Sequence, residues 1–83
     1  MKVTLRYFAS IRELLGVNQE IFDTQVENLN DLRLELMTRG ETYAQAFGMD
    51  QVVRMAMNQI VCDGETKLSE GAEIAFFPPV TGG

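Results

Sequence analysis

The reactive group this sequence offers most plainly is its own terminal carboxylate. The chain closes Phe76-Phe77-Pro78-Pro79-Val80-Thr81-Gly82-Gly83. Two prolines remove two backbone donors and hold φ near about −65°, so a strand cannot run through them. Four residues follow, and at about 3.3–3.6 Å each they reach roughly 13–14 Å from a folded body. Gly82 and Gly83 carry no Cβ, so they can enter a channel that a branched side chain would block. A carboxylate is a poor electrophile. Joined to an adenylate it gains a good leaving group, and a sulfur or amine nucleophile can then take the acyl group. Such chemistry asks this chain for the Gly83 carboxylate alone and leaves ATP binding to a partner. A frayed end is the plainer reading of terminal glycines, but a stiff Pro-Pro spacer directly after a strand argues for a presented terminus.

Little else in the sequence can react. There are 83 residues, with 7 Lys+Arg against 12 Asp+Glu for a net charge of −5, no His and one Cys. Without His, no Ser–His or Cys–His nucleophile pair can be built, and a structural zinc or other metal site is not expected. No Gly-rich phosphate loop occurs. The acidic balance argues against nucleic acid as a partner. No apolar run approaches the roughly 18 residues of a membrane span, and the N-terminus lacks the apolar core of a secretory signal. A cytoplasmic protein without membrane attachment is expected. Cys62, alone in a predicted strand with no cation beside it, reads as a small hydrophobe rather than a persulfide carrier.

The elements that would hold the terminus follow from periodicity. Residues 3–8 alternate as a half-buried strand, with Val3, Leu5 and Tyr7 on one face and Thr4, Arg6 and Phe8 on the other. Ser10 and Glu13 have capping-box spacing, and Ile11, Leu14, Leu15 and Gly16 predict a short helix over 10–15. A weaker strand spans 19–25. Asn28 caps the main helix, read over 29–39 from Leu29, Leu32, Leu36 and Met37, with Gly40 as its stop. Residues 41–51 are ambiguous, although Tyr43 and Phe47 allow one helical turn. A strand follows from Val53 to Asn58 and continues through a kink to Cys62. Asp63-Gly64 and Ser69-Glu70-Gly71 are turns. Glu73 to Phe77 is the last strand. One main helix can cover one face of a four- to five-stranded mixed sheet, which is an α+β layer pair in the order of a β-grasp (ubiquitin-like) roll. The expected division is a β-grasp domain over 1–79 and an extended Gly-Gly tail over 80–83.

Three stretches besides the terminus carry a resemblance to a known family. They are Phe8-Ala9-Ser10-Ile11-Arg12-Glu13-Leu14-Leu15-Gly16, Ala56-Met57-Asn58-Gln59 and Gly71-Ala72-Glu73-Ile74-Ala75. With Ala75 to Gly83 they resemble the MoaD/ThiS family of ubiquitin-like sulfur carriers, in particular its molybdopterin synthase small subunits. Ala72 departs from the Asp more usual there, and residues 40–52 have no counterpart. The resemblance implies a cycle. An E1-like adenylyltransferase uses ATP to adenylate Gly83, and a persulfide sulfur donor converts it to a thiocarboxylate. The tail, Val80, Thr81 and Gly82 leading to Gly83, then enters the large synthase subunit in a heterotetramer and gives sulfur to cyclic pyranopterin monophosphate for molybdenum cofactor biosynthesis. No cofactor would be bound by this chain itself.

Phe8 and Phe77 are out of phase with the buried faces of their strands, and such side chains often mark a partner surface. If the first and last strands are neighbours, Phe8, Phe77 and Val61 form one patch beside the tail. Other readings stay open on the residues alone. A related carrier could serve thiamine thiazole synthesis, a ubiquitin-like modifier could form amide bonds with lysines, and a plain β-grasp interaction module would have an inert terminus.

Overall fold

A computed structural model describes residues 1–79. The element order is β1 (Lys2–Tyr7), α1 (Ala9–Leu15), β2 (Gln19–Asp23), α2 (Leu29–Met37), α3 (Glu41–Phe47), β3 (Arg54–Met57), β4 (Ile60–Cys62) and β5 (Glu73–Phe77). The five strands form one mixed sheet in the order β2-β1-β5-β3-β4. β1 and β5 lie side by side in parallel at its centre, Tyr7 opposite Phe76, and the remaining pairs are antiparallel. All three helices pack on one face, giving the β-grasp roll that periodicity implies.

Strand alternation explains the core. Val3, Leu5 and Tyr7 of β1 and Ile74 and Phe76 of β5 point to the helices and are at most 1% exposed. Leu29, Leu32 and Leu36 of α2 meet them from above, also fully buried. Asn28 caps α2 as expected, its side chain accepting from the Asp31 N–H at 2.8 Å. The centre is aromatic: the Phe47 and Phe76 rings meet edge to face at 4.9 Å, with Tyr7 against both.

Several local expectations are corrected. Helix α1 starts at Ala9 with Phe8 at its N-cap and no side-chain cap, so the Ser10–Glu13 capping box does not form. Gly40 does not end α2. That helix closes at Thr38, and Gly40, at φ 128°, instead sits at the N-cap of α3. The ambiguous stretch is a two-turn helix whose Phe47 is fully buried. Its end is fastened by Arg33 of α2, which donates to the carbonyls of Phe47 (2.7 Å), Gly48 (2.7 Å) and Gln51 (2.9 Å). The expected kink near Asn58 is a complete reversal: Asn58 and Gln59 take φ of 51° and 70°, and β3 and β4 pair as a hairpin across them. Both residues in the left-handed region define a type I′ turn, here made without glycine. Met55 fills the core and Met37 and Met57 pack against it, whereas Met49 is 67% exposed.

Candidate functional site

The face of the sheet opposite the helices is the candidate site. Period-2 alternation sends every second residue of the central strands there: Arg6 of β1, Ala75 and Phe77 of β5, Ala56 of β3 and Val61 of β4. Register aligns Arg6 with Ala75, Ala75 with Ala56, and Ala56 with Val61 across four strands. The two alanines make a low floor. Larger side chains stand around it, and together they enclose an open groove of about 760 Å³ lined by Phe8, Val61, Phe77, Pro78 and Pro79. The structure thus brings Phe8, Phe77 and Val61 into one patch. Val61 is 66% exposed and the two phenylalanines are half-buried. The groove wall ends in Pro78-Pro79, so the last described residues lie in this patch. The remaining predicted site residues, Val80, Thr81, Gly82 and Gly83, lie outside the described residues.

Strand alternation places the patch but does not reveal its polar members. Arg6 stands in the groove with its guanidinium 5.3 Å from the Phe8 ring centroid, and it faces Glu73 at 3.8 Å. Gln59 reaches the same groove from the I′ turn. That turn is fastened to β5 by two bonds at Asn58: the Asn58 N–H donates to the Glu73 carbonyl at 2.8 Å, and the Asn58 side chain accepts from the Glu73 N–H at 3.0 Å. Asn58 therefore satisfies backbone groups, as its place at a strand break predicts. Among the described residues, the non-glycine residues with positive φ are Ala9, Asn58 and Gln59. Ala9 and Gln59 line the groove and Asn58 adjoins Gln59. Left-handed backbone at non-glycine residues costs on the order of 1 kcal/mol each and tends to gather at functional surfaces. A sequence gives no direct sign of it, since neither Ala nor Gln advertises positive φ.

The titratable groups with shifted behaviour lie on the other face. Glu20 of β2 accepts from the Tyr7 hydroxyl at 2.7 Å, the Tyr43 hydroxyl at 2.9 Å and Arg39 at 3.0 Å. Burial pushes its carboxyl up, but the hydrogen bonds from Tyr7, Tyr43 and Arg39 outweigh it, and the net pKa lies below the ordinary value. Burial and the adjacent carboxylate raise the Tyr7 hydroxyl. This cluster ties β2 to α3 and is structural, for it lines none of the groove. Cys62 is half-buried and packs against the core. Among the described residues no group of three His, Cys, Asp or Glu could hold a metal ion, and no helix is long and apolar enough to cross a membrane.

Comparison with known proteins gives this arrangement a context. The chain is 36% identical over 77 residues to the molybdopterin synthase sulfur carrier subunit of Haemophilus influenzae, covering 93% of this chain and 94% of that one. It is 32% identical over 81 residues to the subunit of the same name from Escherichia coli, covering 98% and 99%. A solved protein–protein complex of subunits 1 and 2 of the molybdopterin-converting factor from Helicobacter pylori contains a chain of the same fold. That chain matches with a TM-score of 0.68, 28% identity and full coverage of both chains. The model of the ThiS family matches residues 5–83, from the first strand through the terminal Gly-Gly, and the chain belongs to that family.

Proposed function

We propose that this chain is the sulfur-carrier subunit of a molybdopterin synthase. The observation that carries the reading is the position of the tail's root. Pro78 and Pro79 form one wall of an apolar groove on the sheet face that no helix covers. A partner seated on that face would receive the tail at a fixed place and direction. Large side chains around a floor of small ones give a docking surface both relief and apolar area.

The carrier's working atom is the Gly83 carboxyl. An E1-like adenylyltransferase joins it to AMP and releases pyrophosphate from ATP. The outer sulfur of a donor persulfide displaces AMP to give an acyl disulfide, and a thiol then cleaves the S–S bond, leaving the thiocarboxylate and a disulfide with the donor's sulfur. Phe8, Val61 and Phe77 then seat the large subunit. Val80, Thr81 and Gly82 thread its pocket, and the thiocarboxylate sulfur passes to cyclic pyranopterin monophosphate. Catalytic side chains belong to the partner; Glu73, the groove's one carboxylate among the described residues, faces Arg6 at 3.8 Å. ATP belongs to the activating enzyme and this chain binds no cofactor. The partners and the chain meet in the cytoplasm.

A reconstituted synthase tests this. Deleting Gly82-Gly83 should abolish sulfur transfer while Tm stays within a degree or two, because these residues follow the last strand in sequence and chain ends tolerate change. Full transfer by the shortened chain would refute the carrier role.

A further inference from the structure

Resting on the carrier reading above, we propose that Arg6 is a specificity-determining residue of the docking face, one that receives a carboxylate of the large subunit when the groove is covered. The chain as a whole is acidic, at −5, which by itself suits a basic partner. The docking face has the opposite local balance. Arg6 lies in the groove, and Arg54, the register partner of Phe77, stands on the same face; the groove's only carboxylate among the described residues is Glu73.

Arg6 is also poorly satisfied. Its ion pair with Glu73 is long, at 3.8 Å, and both side chains are partly exposed, at 41% and 29%. Pairs of this kind exchange readily for a better partner. The Arg6 Nε is closed off from water and has no hydrogen-bond partner among the described residues. A buried donor left unmade is costly, and its cost is relieved when the guanidinium swings to a carboxylate that takes two N–H groups at once. The Phe8 ring, 5.3 Å from the guanidinium, holds it at the groove wall in the meantime. Covering the groove removes water, so a charge pair formed there is stronger than the exposed pair it replaces. The occupant is therefore an apolar segment of the large subunit bearing an Asp or Glu, with the apolar part over Ala56 and Ala75.

The test is the affinity of the full chain for the large subunit of its own synthase, measured at low and high salt for wild type, Arg6→Gln, Arg6→Gln with Glu73→Gln, and Phe77→Ala. Loss of a charge-assisted bidentate contact predicts binding weaker by about 10–100-fold for Arg6→Gln. It also predicts a shallower salt dependence, which a mere packing role would not change. The deficit should persist in the double variant. Wild-type affinity restored by adding Glu73→Gln would overturn the proposal, because the loss would then come from a bared carboxylate. Unchanged binding by Arg6→Gln together with a clear loss in Phe77→Ala overturns it and leaves the docking face intact. Unchanged binding in both variants removes the docking-face reading itself.

Discussion

Phe76 and Phe77 are chemically identical neighbours with opposite employment. Phe76 points to the helices, is fully buried, and meets Phe47 edge to face at 4.9 Å. Phe77 points the other way, into the groove, and stays half-buried. Tyr7 and Phe8 repeat the division one strand over. The hydroxyl of Tyr7 is spent on Glu20 inside the core layer, whereas Phe8 stands beside Arg6 on the open face. The difference teaches that the two sheet faces separate stability from binding. Period-2 alternation lets one short strand serve both tasks without compromise, because adjacent side chains never share a face.

The largest expected effect breaks the closed face. Phe76→Ala removes a fully buried ring from the aromatic centre and should cost about 3–5 kcal/mol. A domain of this length has on the order of 4–12 kcal/mol in total, so denaturant unfolding should show a chain close to its folding limit. Phe77→Ala is the matched opposite. Its stability should change by less than about 1 kcal/mol, while affinity for the large subunit should fall by at least tenfold, about 1.4 kcal/mol. Calorimetry and a binding isotherm on the same preparations check both. A Phe77→Ala chain that unfolds easily yet binds normally would erase the proposed division.

Smaller effects sharpen it. Glu20→Gln removes the charge that Tyr7, Tyr43 and Arg39 share and should destabilise by about 1–3 kcal/mol without altering affinity. The folded-state pKa of Glu20 is depressed, so its stabilisation is present above the unfolded value and is lost as pH falls through the folded one. Wild-type Tm should therefore decline below about pH 4, and the Glu20→Gln chain should show less of that decline. Ala56→Leu fills the groove floor and should weaken binding with the smallest change in Tm of the set.

Much of this plan was legible in the residues. Alternation over 3–8 and 73–77 separates Phe8 and Phe77 from the core without any structure, and Asn28 announces the start of α2. What was hidden depends on contacts distant in sequence. Arg33 looks like a solvated helix residue until the carbonyls of Phe47, Gly48 and Gln51 are brought to it. Helix α3 looks dispensable because its one strong signal, Tyr43 and Phe47 at i and i+4, gains meaning only from Phe76. The I′ turn at Asn58-Gln59 lacks the glycine that usually marks one, and pairing of β3 with β4 and the two bonds to Glu73 impose it instead. Arg6 belongs to the groove only once β5 lies beside β1. Its strand phase was readable, but its neighbours were not.

The measurement closest to the centre of the account is the intact mass of this chain after incubation with ATP, an E1-like adenylyltransferase, a persulfide donor and a thiol reductant. The account predicts a gain matching sulfur for one oxygen, located in the terminal peptide and absent when Gly83 is deleted. An unchanged mass, with the same enzyme active on an established carrier, would contradict it.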